Sequence, residues 1–110
     1  MAVNKRDIVE LNYELPDGRF KTHPALIISN NDVFEMEGIF YALMISSKPF
    51  PDEFSFELKD EMLTRPMQKK SYVKCQLIQS YTEDEIIKRR GALKQVYFEK
   101  VIKKLNETVF

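Results

Sequence analysis

Cysteine and histidine are the scarcest chemistry-bearing residues of this chain, with one of each, Cys75 and His23. A lone cysteine excludes an intrachain disulfide, and the pair leaves no framework for structural zinc. With only three glycines, the Gly-rich loops that cradle nucleotide phosphates are excluded. No zincin helix, calcium loop or nucleophile elbow is present either. No apolar run approaches the roughly 18 residues that span a bilayer. The opening MAVNKRDIVEL lacks the apolar centre of a signal peptide. These absences lead to the expectation of a cytoplasmic protein with no cofactor, no metal and no membrane contact.

What is present suits one small globular domain spanning residues 1–110. Hydrophobic residues make up 44% of the sequence and charged residues 31%, which is ordinary globular composition rather than that of a disordered chain. At this size a chain buries a small share of its surface, so self-association would help stabilise it. The formal net charge is zero, with 17 basic and 17 acidic residues. The average hides a division: residues 1–62 carry 6 Lys and Arg against 12 Asp and Glu, and residues 63–110 carry 11 against 5. The halves therefore stand at −6 and +6. They can attract each other within one fold, and the basic half can also bind a polyanion, because phosphate attraction is screened over about 10 Å.

Periodicity predicts a mainly β chain. Strands are expected over Lys5–Tyr13, a short piece at Arg19–Lys21, Ala25–Ile28, Phe40–Ile45, Phe54–Leu58 and Ser71–Gln79. Leu15-Pro16-Asp17-Gly18-Arg19 supplies a turn. Pro24 biases His23 toward extended geometry, and Ser29-Asn30-Asn31-Asp32 reads as a tight exit. Pro49 and Pro51 mark a loop, and Lys59–Lys70 reads mostly as loop. In the segment after Ser71, Val73, Cys75 and Leu77 are expected on one face, with Tyr72, Lys74 and Gln76 on the other; Cys75 is then a buried thiol. Thr82 and Glu85 have capping-box spacing. Lys88-Arg89-Arg90-Gly91 reads as a turn. The single helix expected runs from Ala92 or Leu93 to Thr108, its apolar stripe carried by Leu93, Tyr97, Phe98, Val101, Ile102, Leu105 and Val109. The sum is five or six short strands in a strongly bent sheet or partly open barrel, closed by a C-terminal amphipathic helix. SH3-like and OB-like barrels both fit.

Two segments offer chemistry. His23 precedes a buried strand, and its near-neutral pKa makes it a candidate general acid or base. Ser46 and Ser47 end the next long strand, where hydroxyls can orient a phosphate or simply satisfy backbone groups. Lys69-Lys70 and Lys88-Arg89-Arg90 read either as solvated turns or as a rim facing nucleic acid. Tyr72, Tyr81, Phe34 and Phe50 are candidate stacking rings beside ordinary packing roles. The acidic pairs Asp52-Glu53 and Asp60-Glu61 read as solubilising loop residues.

Pro24-Ala25-Leu26-Ile27-Ile28-Ser29-Asn30-Asn31 resembles the signature of the PemK/MazF toxins. Arg6-Asp7-Ile8-Val9 resembles the start of that family's first strand, where a small residue is usual before the Asp. Phe40 to Lys48 is similar to its strand ending in a hydroxyl-bearing site. Ser71-Tyr72-Val73-Lys74-Cys75, the Gln79 region and the closing helix match its later pattern, so the likeness covers nearly the whole chain.

The resemblance implies an SH3-like barrel with a C-terminal helix, usually homodimeric and cytoplasmic. It further implies a metal-independent endoribonuclease that cuts single-stranded RNA, leaves a 2′,3′-cyclic phosphate, and is neutralised by an antitoxin whose flexible segment covers the RNA-binding surface. In the family, catalysis rests on an arginine directly before the signature proline and on a Thr or Ser ending the following strand. Here those positions are His23 and Ser46, with Ser47 as the alternative register. Histidine cannot offer the bidentate, permanently charged fork of arginine, but it can move a proton near pH 7. A cation must then stabilise the phosphate, and Arg19, Lys21, Lys48 and Arg65 are candidates. The RNA-binding surface expected from the sequence comprises Arg19, Lys21, Ser47, Lys48, Arg65, Lys69, Lys70 and Tyr72, beside the catalytic pair His23 and Ser46. The alternatives are an inactive member that binds RNA or an antitoxin peptide, and a dimeric interaction module without nucleic-acid affinity.

Overall fold

The computed structural model describes residues 3–50 and 52–110. Six antiparallel strands and two helices follow one another as β1 (Asp7–Glu14), β2 (Phe20–Ile27), α1 (Asn31–Glu37), β3 (Ile39–Ser46), β4 (Ser55–Leu58), β5 (Ser71–Thr82), β6 (Lys88–Ala92) and α2 (Gln95–Val109). The strands form one sheet in the order β4-β5-β3-β2-β1-β6. The sheet does not close by a strand ladder. Its two ends are instead strapped together: Leu63 bridges Leu93, Thr64 N–H donates to the Ala92 carbonyl at 2.9 Å, and Lys94 N–H donates to the Met62 carbonyl at 2.8 Å. The bent, partly open barrel with a C-terminal helix is the architecture expected from the sequence.

Both faces of the sheet are buried, which is why Ala25–Ile28 and Phe40–Ile45 read as unbroken apolar runs rather than alternating ones. On one face Ile8, Leu26, Leu43 and Val73 meet Phe98, Val101 and Leu105 of α2. On the other, Val9, Leu11, Tyr13, Ala25, Ile27, Phe40, Ala42 and Tyr81 form a second cluster, with Phe34 of α1 packed against it. The helical stripe lies where its spacing put it, except that Leu93 precedes the helix as part of the strap and Val109 is exposed.

Several local expectations are corrected. The two pieces expected at Arg19–Lys21 and Ala25–Ile28 are one strand, β2, running through Pro24. Asn30-Asn31-Asp32 opens the short helix α1 instead of a tight exit. That helix stops at Gly38 (φ 73°), whose N–H caps the Phe34 carbonyl; left-handed geometry at the cap suits glycine. Phe34 is therefore a half-buried helix residue, not a loop ring. The segment Lys88–Gly91 belongs to strand β6, not to a turn. In β5 the expected alternation fails after Val73. Between Leu43↔Ile78 and Ile45↔Val73 the register shifts, so Lys74 to Leu77 bulge opposite Met44. The bulge turns Lys74 inward, where its ammonium donates to the Phe50 carbonyl and lies 3.2 Å from Ser55 Oγ. Leu77 is turned outward. Cys75 is buried as expected, and burial pushes its thiol up to about 11, so it is an unreactive core residue. The Thr82–Glu85 capping box is present.

A second bulge lies in β6. Asp7 pairs with Ala92 and Val9 with Arg89, so Arg90 and Gly91 together stand opposite Ile8. Gly91 has φ 87°, and a β-carbon there would come within 2.7 Å of Thr64 Oγ1 and 3.2 Å of Arg65 Cβ. Gly38 is equally left-handed but has nothing within 4 Å of that position. Gly38→Ala should therefore cost only the conformational penalty, about 1 kcal/mol. Gly91→Ala adds overlap and should cost about 3 kcal/mol. Urea unfolding of both variants checks this; equal losses would show that the contact with residues 64 and 65 is easily relieved.

Candidate active site

The site begins with a backbone group that proline does not have. Strands β1 and β2 pair along the full length of β2, from Ile8↔Leu26 to Glu14↔Phe20. Strands β2 and β3 pair only over Ala25↔Met44, Leu26↔Leu43 and Ile27↔Ala42. The direction of the bonds explains the early stop. Ile27 accepts from Arg6 on the β1 side, and Ile28 donates to Tyr41 on the β3 side. Antiparallel ladders alternate residue by residue, so the backbone of residue 24 faces β3. Pro24 has no N–H to offer there. Beyond it β3 stays with β5, through Ile45↔Val73 and Ser46↔Tyr72, while β2 stays with β1. The two strands diverge.

A cavity of about 310 Å³ occupies the wedge. Lys21, Thr22, His23 and Pro24 form one wall, and Ile45, Ser46 and Ser47 form the other. Met67, Gln68 and Lys69 close it from the segment before β5, Ser71 from the first position of β5, and Arg90 reaches it from β6. Three cationic side chains and no carboxylate are in this lining, which suits a phosphate-bearing ligand.

His23 is half-buried, with its ring edge-on to Tyr13 at 6.4 Å between centroids. Burial holds its pKa below the usual histidine value; a hydrogen bond to the Ile45 backbone pulls the other way, and the Lys21 charge adds to the lowering. The imidazole is therefore neutral at pH 7. Behind it, the Tyr13 hydroxyl donates to the Ala42 carbonyl at 3.4 Å, and burial raises its pKa far out of reach of neutral pH. Tyr13 acts as a fixed wall, not as an acid.

Ser46 ends β3 with its Oγ accepting the Lys48 N–H at 3.2 Å. The hydroxyl proton has no acceptor among the described residues and is free to donate into the cavity. Ser71 Oγ donates to the Lys69 carbonyl at 2.9 Å, fixing the backbone that carries that lysine.

Of the residues expected at an RNA surface, Lys21, Ser47 and Lys69 line the cavity with His23 and Ser46. The others do not. Arg19 is tied to Asp17 within the β1–β2 turn, Nε to Oδ2 at 2.7 Å. Lys48 is exposed beyond Ser47. Arg65 lies over Gly91, with Nη1 3.4 Å from the Arg89 carbonyl. Lys70 pairs with Glu57 at 3.5 Å, and Tyr72 is half-buried in β5 beside Ser46. Tyr81 is a core residue, its hydroxyl 2.7 Å from Gln79 Oε1 and 3.2 Å from the Asn12 carbonyl. Burial, with the Glu85 charge, pushes that hydroxyl up to about 12. Phe50 is freely exposed. Sequence reasoning did not single out Thr22 and Gln68 for the site, and it read Arg90 only as part of a basic tripeptide forming either a solvated turn or a rim facing nucleic acid. For Arg90, the available signal was Gly91 directly after it, since a glycine inside a strand marks a bulge that re-aims its neighbour.

No helix of the described residues is long and apolar enough to cross a membrane. No curated protein sequence matches the chain significantly. Solved structures match it closely in fold. An endoribonuclease in complex with its cognate antitoxin, from a mycobacterial species, superposes with a TM-score of 0.80 at 16% identity, covering 98% of this chain and 95% of its own. MazF from Deinococcus radiodurans gives 0.78 at 15% identity, covering 97% and 96%. The toxin MazF-mt6 of Mycobacterium tuberculosis gives 0.74 at 15% identity, covering 93% and 94%. The sequence profile of the PemK-like, MazF-like toxins of type II toxin-antitoxin systems matches residues 4–109, and the chain belongs to that family.

Proposed function

We propose that this protein is the RNA-cleaving toxin of a toxin-antitoxin pair, cutting single-stranded RNA without a metal ion through attack by the ribose 2′-hydroxyl. The observation that carries the reading is the convergence of a neutral imidazole, a serine hydroxyl with an uncommitted proton and two lysines on one cavity.

In the proposed step, neutral His23 accepts the 2′-hydroxyl proton as O2′ bonds to phosphorus and the bond from phosphorus to O5′ breaks. One imidazole cannot also be the acid in the same step, so the departing O5′ takes its proton from water. Ser46 donates to a non-bridging oxygen, and Lys21 and Lys69 balance the charge that grows there. The products are a 2′,3′-cyclic phosphate and a 5′-hydroxyl. A mycobacterial endoribonuclease of this fold forms a complex with its cognate antitoxin; we propose that an antitoxin protein likewise binds and blocks this protein, which works as a homodimer in the cytoplasm.

Purified protein should cleave single-stranded RNA in the presence of a chelator and leave cyclic phosphate ends. His23→Ala should lower the single-turnover rate by about 10²–10⁴-fold, the usual worth of a general base, and Ser46→Ala by about 10²-fold. Salt-sensitive binding of RNA by folded protein without any cleavage would instead make it an inactive binder.

As this is the chain's only histidine, its NMR titration is unambiguous. Its midpoint in the free protein should lie below the ordinary value of about 6.5. The rate at low substrate should accordingly rise with pH and level off before neutrality. The same shift has a stability consequence. Its folded pKa is depressed, so the unfolded chain binds the proton more readily. Stability should thus fall as pH drops from the unfolded value through the folded one, and His23→Gln should flatten that slope in urea titrations. A His23 midpoint above the ordinary value would remove the basis for assigning it as the base.

A further inference from the structure

The family's usual arginine is absent from the position before the signature proline, yet a guanidinium still reaches the cavity. Arg90 is the one arginine among the lining residues. It sits on β6, separated from β2 by β1. It is aimed by the bulge in which Arg90 and Gly91 share a place opposite Ile8. Its Nε donates to Glu10 Oε2. Glu10 stands opposite Pro24 in the β1–β2 ladder, one residue from His23. The carboxylate is largely buried, at 15% side-chain exposure, whereas the Arg90 side chain is 38% exposed.

The geometry of the fork matters here. With Nε held by Glu10, the opposite edge of the guanidinium carries Nη1 and Nη2, which have no partner among the described residues. That edge presents two parallel N–H donors, the arrangement that matches two oxygens of a phosphate. The other arginines near this end lie outside the lining: Arg19 pairs with Asp17, Arg89 with Asp7 at 3.9 Å and Glu83 at 3.6 Å, and Arg65 lies over Gly91 with Nη1 3.4 Å from the Arg89 carbonyl. Lys21 and Lys69 supply charge without a fork.

We propose that Arg90, pinned by Glu10, is the guanidinium that grips the scissile phosphate in this protein, so that the phosphate-binding and proton-transfer tasks are divided between Arg90 and His23. The inference rests on the ribonuclease reading for its catalytic half and on phosphate binding alone for the rest. Glu10 is a positioning residue: it fixes one edge of the guanidinium and leaves the other to the ligand.

Two measurements on Arg90→Ala test it. The first is single-turnover cleavage of an RNA oligonucleotide, with and without guanidinium chloride below its unfolding range. The expected result is a loss of about 10²–10³-fold, partly restored by guanidinium but not by equal sodium chloride. The second is binding of a non-cleavable, fully 2′-O-methylated oligonucleotide across a salt series. Losing one phosphate contact should reduce the slope of log K against log salt by about 0.7. Arg90→Ala leaves the Glu10 carboxylate without its partner, so Glu10→Ala/Arg90→Ala is measured beside it and judged by the same criteria if the single variant does not fold. Wild-type cleavage and wild-type salt slope in a folded variant, or a loss that guanidinium does not relieve with the slope unchanged, overturns the role of Arg90 and leaves the ribonuclease reading standing. If the wild type binds but never cleaves, the ribonuclease reading fails, and the slope alone decides for or against Arg90 as the phosphate contact.

Discussion

The site exists because one backbone donor is missing. A residue other than proline at position 24 would offer an N–H toward β3, and the ladder that binds Ala25 to Met44 would have reason to continue. Its loss costs a hydrogen bond, about 1 kcal/mol net, and frees the end of each strand to follow a different neighbour. β2 remains with β1 and β3 remains with β5, and the space between them becomes a cavity with polar walls. The neighbouring imidazole lines the opening opposite Ile45. The proline that starts the family signature and the residue before it are thus one device: the first opens the sheet, and the second occupies the opening.

The electrostatics follow from how that opening is walled. Its cations come from three separate parts of the chain, Lys21 in β2, Lys69 before β5 and Arg90 in β6, and the acidic residues of the first half of the sequence lie elsewhere. Glu10 is the exception in proximity, and it is paired. The opposite net charges of the two halves of the sequence therefore serve both purposes raised by composition. Pairs such as Glu10–Arg90, Asp7–Arg89 and Glu57–Lys70 join the halves, while the ammonium groups of Lys21 and Lys69, in no ion pair among the described residues, stand at the cavity. Burial first, with the Lys21 charge adding to it, pushes a histidine here toward neutrality, whereas an arginine would stay charged. Changing that one residue changes the kind of work the position can do, from holding charge to moving a proton.

Much of this was legible in the sequence. The apolar runs around Leu26 and Leu43, the helical stripe through Phe98, Val101 and Leu105, the turn at Asp17-Gly18 and the capping box at Thr82 all carry local signals that the fold obeys. His23 and Ser46 were readable as a pair only through the resemblance to a family, since nothing in their spacing brings them together. What escaped was set by tertiary structure. Helix α1 is only seven residues long and ends on a left-handed Gly38, and its Asn-rich start favours a turn equally well. Lys74 and Leu77 exchanged places because a bulge reset the alternation of β5. Arg90 stood between a solvated turn and a rim facing nucleic acid because a basic tripeptide before glycine reads as a turn wherever a strap of backbone bonds does not draw it into a sheet.

The strap between Leu63 and Leu93 has one more consequence. It moors both ends of the barrel just beside the stretch from Pro66 to Lys70, which is therefore a short tether slung between fixed posts and forms the one wall of the cavity drawn from outside the strands. Its backbone belongs to no ladder, so changes of length or composition there leave the pairing of the sheet intact. In a scaffold whose other walls are committed to holding the barrel together, this tether is the part free to diverge, and through Met67, Gln68 and Lys69 it sets the shape and charge of one side of the cavity.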